Sequence, residues 1–294
     1  MVGRNFLSIE DLTNEDIDFL LTTADDFKRI NYDRSTMLPG RVLTNLFYEP
    51  STRTSSSFAA AMYRLGGNVI QINNVKFSSV SKGETLPDTI RTLEQYSDAI
   101  VLRHPEVGAA ATAARYASVP VINAGDGIGE HPTQAMLDLM TIFDEVGRLS
   151  NLQVTLVGDL KHGRTVHSLM KLLDRRENIR YQTVSPENLM LDRQGLLWSD
   201  RLTKDILSKT DVLYMTRIQK ERFLDPSEAE GLIDNYVLTR EMAEVMPEGS
   251  VIMHPLPRVG EIAMEVDDLP HAAYFRQAQN GMFMRMAILA SLLE

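Results

Sequence analysis

Short apolar segments alternate with amphipathic helical patterns along nearly the whole chain, and this alternation is the strongest constraint on its fold. The apolar runs predict strands at 42–48, 68–72, 98–102, 119–122, 152–157, 180–184, 211–215 and 250–253. Helical periodicity predicts helices near 14–27, 55–65, 87–96, 106–117, 131–146, 164–173, 202–207, 239–245 and 283–293. Strands that are joined by helices run parallel and are covered on both faces. The sequence therefore predicts an α/β fold with doubly wound parallel sheets.

The length of 294 residues and the hydrophobic content of 44% are sufficient for two cores. We expect two doubly wound parallel-sheet domains joined by bridging helices, with residues 1–132 and 273–294 in one domain and 133–272 in the other. The helix at 131–146 is the predicted bridge. Its apolar spacing predicts a buried stripe of Met136, Leu139, Met140 and Phe143.

Composition excludes several classes of function. The formal net charge of −10 argues against a nucleic-acid or anionic-membrane partner. The absence of cysteine excludes disulfides, thiolate nucleophiles and thiolate metal sites. The sequence also lacks a signal-peptide pattern, a membrane-length apolar run, a nucleotide-binding glycine loop, a His-Glu-x-x-His motif and a Gly-x-Ser-x-Gly elbow. We therefore expect a cytoplasmic protein that needs neither cofactor nor metal.

The segment 46–58 connects a predicted strand to a predicted helix through Pro50 and a run of hydroxyl residues. Ser51, Thr52 and Thr54 suit a helix start, where unpaired backbone N–H groups and the positive end of the dipole attract an anion. Arg53 adds a guanidinium that can bind two oxygen atoms at once. Taken alone, this pattern is more often an ordinary helix cap with a solvated arginine.

Polar side chains also follow several other predicted strands. They are Arg103, His131 with Gln134, Arg164, Arg217 with Gln219, and His254 to Arg258. Lys82 lies in a polar loop predicted at 73–85. Each residue taken singly is more often a surface ion pair or a helix cap. Ligands of open parallel sheets, however, bind outside the carboxyl ends of the strands, so these cations predict a pocket for anionic small molecules.

Five motifs together carry a family resemblance. They are Ser51-Thr52-Arg53-Thr54, the loop from Ser78 and Ser79 to Lys82-Gly-Glu-Thr, His131-Pro-Thr-Gln134, Arg217-Ile-Gln-Lys-Glu-Arg222 and His254-Pro-Leu-Pro-Arg258. In order and spacing they resemble the carbamoyltransferase family over nearly the full length, and the last two resemble its aspartate branch, the aspartate carbamoyltransferases. The ornithine branch carries a cysteine in the last motif, and this chain has no cysteine.

The resemblance implies transfer of the carbamoyl group of carbamoyl phosphate to the α-amine of L-aspartate, as in pyrimidine biosynthesis. It implies that the phosphate is bound by Ser51, Thr52, Arg53 and Thr54. It further implies that the carbonyl oxygen is contacted by Thr54, Arg103 and His131, and the amino group by Gln134 and the Leu256 and Pro257 region. The implied aspartate ligands are Lys82, Arg164, Arg217 and Gln219, and the implied catalytic residues are Arg53, Thr54, Lys82, Arg103 and His131.

The resemblance also implies a homotrimer with shared active sites, because Lys82 and either Ser78 or Ser79 reach into a neighbouring subunit in the family. Larger assemblies with regulatory chains or a dihydroorotase stay open. One residue departs from the pattern, since many relatives carry arginine where this chain has Ser55.

The expected chemistry suits these residues. The unprotonated aspartate amine attacks the carbamoyl carbon, oxygen charge develops, and phosphate leaves; each fixed donor to that oxygen contributes roughly 3 kcal/mol. His131 is expected to donate a hydrogen bond rather than act as a general base. Two alternatives stay open: a carbamoyltransferase for another amine such as ornithine, and a catalytically silent, anion-binding assembly subunit.

Overall fold

The computed structural model describes residues 1–30, 36–73, 82–218 and 234–294. The strands in this part of the chain are β1 (Val42–Phe47), β2 (Asn68–Asn73), β3 (Ala99–His104), β4 (Val121–Asp126), β5 (Leu152–Val157), β6 (Ile179–Val184), β7 (Leu197–Ser199), β8 (Val212–Met215) and β9 (Val251–Met253). The helices are α1 (Asn14–Arg29), α2 (Thr52–Arg64), α3 (Leu86–Leu93), α4 (Ala109–Tyr116), α5 (Pro132–Val146), α6 (Arg164–Leu173), α7 (Lys204–Leu207), α8 (Arg240–Ala243) and α9 (Tyr274–Leu293).

The described chain forms two compact units. Unit 1 comprises Met1–Leu137 and Gln279–Glu294, and unit 2 comprises Asp138–Ala278. The helices α5 and α9 each contribute residues to both units. The assignment of the two halves as domains for separate substrates stays a prediction.

Unit 1 contains a four-stranded parallel sheet with the order β2-β1-β3-β4. Its central strands β1 and β3 are buried along nearly their whole length, as expected for a parallel sheet that is covered on both faces. Leu46, Ile100, Leu102 and Val121 lie in one buried cluster of this unit. Unit 2 contains a five-stranded parallel sheet with the order β7-β6-β5-β8-β9. The predicted α/β fold with parallel sheets is confirmed.

Both sheets reverse their strand order at one place. In unit 1 the chain runs from β1 to the edge strand β2 and returns to β3 on the other side of β1. In unit 2 it runs from β5 through β6 and β7 and returns to β8 on the other side of β5. At such a reversal the loops after the two neighbouring strands diverge and leave a crevice. The pairs β1/β3 and β5/β8 are therefore the favoured ligand-binding edges of their units.

Hydroxyl side chains cap the starts of several helices. Each accepts a hydrogen bond from a backbone N–H in the first turn, and the capping residues are Thr13 of α1, Ser51 of α2, Thr85 of α3, Thr203 of α7 and Thr239 of α8. A cap of this kind typically contributes about 1 kcal/mol. Among the described residues, no helix has both the length and the apolar character needed to cross a bilayer.

Several local predictions were wrong. The last helix begins at Tyr274 rather than near residue 283. Its first turns were not predicted because they contain polar residues such as Gln277, which is buried and hydrogen-bonded and interrupts the apolar periodicity. Phe143 is 48% exposed instead of buried on α5. The helix predicted near 87–96 ends at Leu93, so Tyr96 lies beyond it and is 61% exposed. The short strand β7 was not predicted, because none of its residues is buried and it lacks an apolar signal.

Candidate active site

The start of α2 follows directly from β1 in unit 1. Pro50 cannot continue the strand hydrogen bonding, and Ser51 has extended backbone angles that suit a helix cap. The Ser51 hydroxyl accepts a hydrogen bond from the Thr54 N–H at 3.4 Å, and Thr54 is buried. Thr52 and Arg53 are exposed at the same turn. Although the residue as a whole is exposed, desolvation of its guanidinium lowers the pKa of Arg53, and the group still stays charged at neutral pH. This turn can therefore bind a phosphate group.

Ser55 faces away from the capped turn toward β2. Its hydroxyl donates to Gln71 Oε1 at 3.0 Å or to Asn73 Oδ1 at 3.1 Å. The Asn45 amide donates to the Ser55 carbonyl at 3.1 Å. Ser55 thus fixes α2 against its own sheet.

Arg103 lies at the end of β3, beside the end of β1. The Tyr48 N–H donates to the Arg103 carbonyl at 2.9 Å, and Arg103 Nε lies 3.3 Å from Glu49 Oε2. These contacts hold the loop after β1 to the end of β3. Ser51 to Thr54 and Arg103 therefore belong to the β1/β3 edge of unit 1.

A buried aspartate shapes the loop after β4. The Asp126 carboxylate accepts from the Gly108 N–H at 2.8 Å, the Glu130 N–H at 2.9 Å and the Asn123 amide at 3.3 Å. A Cβ at Gly127, whose φ is +53°, would lie 2.4 Å from the Pro105 carbonyl oxygen. Only glycine fits there. Asp126 was not predicted as a site residue, although an Asp-Gly pair after a strand is a usable signal for such a turn.

His131 and Gln134 lie at the start of α5, as their spacing suggests. The His131 carbonyl accepts from the Gln134 N–H at 3.0 Å and the Ala135 N–H at 3.1 Å. Its imidazole Nδ1 lies 3.4 Å from the Thr133 hydroxyl. Both His131 and Gln134 are buried. Asp126 and the helix start thus fix the position of this histidine in unit 1.

In unit 2, a second buried aspartate shapes the loop between β5 and α6. Asp159 Oδ1 accepts from the His162 N–H at 3.1 Å and contacts His162 Nδ1 at the same distance. Gly163 is the cap residue that precedes α6, and a Cβ at this glycine would lie 2.7 Å from the Asp159 carbonyl oxygen. Arg164 is the first residue of the helix. Sequence analysis found Arg164 but missed Asp159, which positions the loop before it.

Arg217 follows β8, the neighbour of β5. The Thr216 hydroxyl and N–H both donate to the Val157 carbonyl at 2.8 Å. Gly158, with φ +116°, packs so closely that a Cβ would lie 2.3 Å from the Thr216 carbonyl oxygen. Arg164 and Arg217 therefore both belong to the β5/β8 edge of unit 2. Gln219 lies outside the described residues.

The loop after β9 carries Leu256 and Pro257. The His254 Nδ1 accepts from the Leu256 N–H at 2.8 Å, and His254 Nε2 lies 2.6 Å from Glu261 Oε1. Leu256 has a φ of +48°, and the Leu256–Pro257 bond is cis.

Arg258, the last residue of the same motif, is held by two residues of unit 2. It forms an ion pair with Asp267 and donates to the Tyr274 hydroxyl at 3.0 Å. Hydrogen bonds from Arg258 hold the pKa of Asp267 below its usual value, although burial opposes this effect. In this structure Arg258 therefore stabilises the motif through contacts within unit 2.

Lys82 is exposed shortly before α3. Ser78 and Ser79 lie outside the described residues, so their roles stay predictions. In the described part of the chain, histidine and carboxylate side chains form no cluster suited to a metal ion.

The fold and the positions of the polar side chains together indicate a class of protein that binds small anionic molecules. Two parallel α/β units each carry cationic and hydrogen-bond-donating groups at the edge where the strand order reverses. Such edges bind small anionic molecules.

Comparison with known proteins identifies the family. Residues 4–144 match the aspartate/ornithine carbamoyltransferase carbamoyl-P binding domain, and residues 150–292 match the Asp/Orn binding domain of the same family. The chain belongs to the aspartate/ornithine carbamoyltransferase family, and the resemblance found in the sequence is confirmed.

Relatives of two sizes match the chain. The aspartate carbamoyltransferase catalytic subunit of Thermoplasma acidophilum is 49% identical over 302 residues, covering 99% of this chain and 98% of the relative. The multifunctional protein CAD of Squalus acanthias is 49% identical over 304 residues, which cover 99% of this chain but 13% of that protein. A crystal structure of aspartate transcarbamoylase from Trypanosoma cruzi with carbamoyl phosphate and aspartate has a TM-score of 0.92 and 43% identity, covering 100% of this chain and 98% of that chain.

Proposed function

We propose that this chain transfers the carbamoyl group of carbamoyl phosphate to the α-amine of L-aspartate, giving N-carbamoyl-L-aspartate and phosphate for pyrimidine biosynthesis. The observation that supports the proposal is the start of α2, where the Ser51 cap, Arg53 and the first-turn N–H groups follow β1 at the β1/β3 edge, an arrangement suited to a phosphate. The aspartate-branch motifs in unit 2 and the names of the relatives support aspartate as the acceptor.

Unit 1 is the proposed carbamoyl-phosphate domain. Ser51, Thr52, Arg53 and Thr54 bind the phosphate through backbone and side-chain donors. Arg103, His131 and Thr54 donate to the carbonyl oxygen, and Gln134 accepts from the carbamoyl amino group. The Leu256 and Pro257 carbonyls of unit 2 are proposed to accept from the same amino group.

Unit 2 is the proposed aspartate domain. Arg164 and Arg217 at the β5/β8 edge bind the two carboxylates, because a guanidinium matches a carboxylate with two parallel hydrogen bonds. Gln219 and Lys82 complete this set in the proposal. The residue roles rest on motif matching and on the strand ends at which the described residues lie.

The chemical step needs neither a metal nor a covalent enzyme intermediate. The amine lone pair of aspartate forms the new C–N bond, the bond between carbon and the phosphate oxygen breaks, and the leaving phosphate accepts the amine proton. Charge on the carbonyl oxygen grows during the attack, and each fixed donor stabilises it by roughly 3 kcal/mol. Holding both substrates in a fixed geometry contributes comparably or more.

A steady-state assay tests the proposal with one variant in each unit. Arg53→Ala is expected to lower kcat/KM for carbamoyl phosphate by roughly 100- to 1,000-fold, because it removes a charged donor to the phosphate. Arg217→Ala is expected to raise the KM for aspartate by about 10- to 100-fold. Arg64→Ala on α2 and Arg201→Ala in unit 2 are exposed controls that keep wild-type kinetics.

Three results contradict this proposal in different ways. Equal turnover with ornithine as acceptor favours a carbamoyltransferase for another amine. Absence of turnover with retained carbamoyl-phosphate binding favours a silent anion-binding subunit. Unchanged kinetics with carbamoyl phosphate in Arg53→Ala contradicts the assignment of the phosphate site to the start of α2.

The proposed assembly is a cytoplasmic homotrimer in which Lys82 acts in the site of a neighbouring subunit. Regulatory chains or a dihydroorotase stay open as further partners; the match to a multifunctional relative shows that chains of this family also occur within longer proteins. Mixing Lys82→Ala chains with Arg53→Ala chains is expected to restore part of the activity through hybrid sites. Verified mixed trimers that stay inactive contradict the sharing.

A further inference from the structure

A chain of buried hydrogen bonds in unit 2 begins at Asp138 on α5. This carboxylate is fully buried, and the Tyr214 hydroxyl donates to its Oδ2 at 2.7 Å. The Gln277 amide on α9 donates to Asp138 Oδ1, also at 2.7 Å. A buried carboxylate is costly unless hydrogen bonds satisfy it. Asp138 therefore fixes which way the Gln277 amide points.

Gln277 passes this orientation to the loop after β9. Its side chain is 1% exposed, and its Oε1 accepts from the His254 backbone N–H at 2.9 Å. The amide nitrogen of Gln277 is turned toward Asp138, so its oxygen is left to face His254. The first residue of the loop is thus anchored to two helices.

His254 and Glu261 fix the rest of the loop. The Leu256 N–H donates to His254 Nδ1, so this nitrogen is unprotonated and the proton sits on Nε2, which donates to Glu261. The other Glu261 oxygen accepts from the Val259 N–H at 2.8 Å. Between these anchors Leu256 has a φ of +48°, a conformation that a leucine keeps only when its surroundings hold it.

We propose that Asp138, Gln277, His254 and Glu261 act in sequence as positioning residues for the Leu256 and Pro257 carbonyls. This inference rests on the proposed function, in which those carbonyls accept from the carbamoyl amino group. Asp138 and Gln277 contact no reacting atom in the proposal and act only through His254. A shift of the loop by about 1 Å would lower kcat by up to roughly 100-fold.

The chain of hydrogen bonds can be tested by exchanging the carboxylate of Asp138 and the amide of Gln277 between the two positions. Gln277→Glu places a second carboxylate oxygen against Asp138, and the repulsion pushes the side chain away from His254. Asp138→Asn combined with Gln277→Glu restores every bond. The new amide at position 138 accepts from Tyr214 and donates to the new carboxylate at position 277, which still accepts from the His254 N–H. We expect Gln277→Glu to lower kcat about 10- to 100-fold and the double variant to recover to within about threefold of wild type.

The KM for carbamoyl phosphate is expected to change less than about twofold in these variants, because the phosphate ligands are left intact. Gln279→Glu is the matched control, since it makes the same change at an exposed position of the same helix, and wild-type kinetics are expected. Amide hydrogen exchange gives a readout independent of turnover. Protection at His254 and Leu256 is expected to fall in Gln277→Glu and to return in the double variant.

Two results overturn the inference. One is wild-type kcat and amide protection in Gln277→Glu. The other is an equal loss in the single and double variants, which would show no coupling between Asp138 and Gln277. A wild-type chain without turnover contradicts the proposed function instead, and amide exchange still decides whether the bonds position the loop.

Discussion

In unit 1 residues 48–51 separate β1 from α2, whereas the longer stretch 158–163 separates β5 from α6 in unit 2. The short connection brings the first-turn N–H groups of α2 directly to the sheet edge. The longer one is folded around the buried carboxylate of Asp159 and ends on Gly163, which has no side chain to cap α6. Both connections lie where the strand order reverses, so the same topology positions a helix start in one unit and an arginine in the other.

The difference suits the two proposed ligands. A phosphate has several oxygens that a helix start can bind with backbone N–H groups. Each carboxylate of aspartate presents two oxygens in one plane, which a guanidinium binds best. A well-capped helix in unit 1 therefore suits the phosphate. Rigid loops in unit 2, which fix the position of the arginines, suit the carboxylates.

The two units also share a local hydrogen-bonding motif at a His-Pro sequence. In His104-Pro105-Glu106 and His254-Pro255-Leu256, the histidine Nδ1 accepts the N–H two residues later, at 3.1 and 2.8 Å. Proline has no N–H, so the next residue supplies the donor. The remaining contacts differ, because His104 packs on the Tyr48 ring at 4.4 Å and His254 bonds to Glu261. Burial lowers the pKa of His104, which favours its neutral form as an acceptor.

The largest expected effect tests how tightly the β5/β8 edge is packed. Gly158→Ala would put a Cβ 2.3 Å from the Thr216 carbonyl oxygen, a backbone atom that must move. We expect a loss of roughly 3 kcal/mol in the free energy of unfolding. Gly195→Ala is the control, since this glycine also has a positive φ but no described atom lies within 4 Å of the Cβ position. It is expected to lose about 1 kcal/mol by urea denaturation. Equal losses would contradict the close approach.

A smaller effect tests the carboxylate inside the unit 2 loop. Asp159→Asn weakens the hydrogen bonds to His162, and we expect a loss of about 2 kcal/mol. Because Arg164 follows this loop, the KM for aspartate is expected to rise about tenfold while the KM for carbamoyl phosphate stays unchanged. Asp192→Asn is an exposed control in the same unit. A change confined to the KM for carbamoyl phosphate would contradict the assignment of this unit 2 loop to aspartate binding.

The helix cap of unit 1 is expected to matter less for stability. Ser51→Ala removes the acceptor for the Thr54 N–H and is expected to cost about 1 kcal/mol. Thr13→Ala removes the cap of α1, with a similar cost in thermal unfolding. Only Ser51→Ala is expected to weaken phosphate binding in a calorimetric titration. If both variants bind phosphate like wild type, the α2 cap has no role in the anion site.

The smallest effect is a pH dependence in the loop after β9. Burial would raise the pKa of Glu261, but hydrogen bonds to its carboxylate, from His254 first and also from the Val259 N–H, lower this pKa below 4.5. The stability that Glu261 contributes is therefore present above pH 4.5 and is lost as pH falls through the lowered pKa. Urea denaturation from pH 7 down to about pH 3 is expected to show that the difference in unfolding free energy between wild type and Glu261→Gln becomes smaller at the acid end. Glu248→Gln, at an exposed position, is expected to keep a constant gap; a constant gap for Glu261→Gln contradicts the assignment.

Local patterns were sufficient for much of this protein. Apolar period and helix caps identified most strands and helices, because these signals lie within a few neighbouring residues. The bounds of β5 and α6, for example, agree with the sequence-based expectation. The candidate site residues from Ser51 to Arg217 were likewise chosen from residue type, spacing and the family resemblance, and their roles stay predictions.

The tertiary structure decided what sequence distance conceals. The order β2-β1-β3-β4 pairs Arg103 with Phe47, the last residue of β1 before the loop to Ser51, because strand pairing depends on contacts between residues far apart in the chain. Several polar residues have no distinctive sequence pattern, although in the structure their hydrogen bonds stabilise loops. They are Asp126, Asp159, Glu261 and the buried pair Asp138 and Gln277. Residue type and spacing thus determine which chemical groups the chain carries, whereas packing of distant segments decides where those groups are fixed.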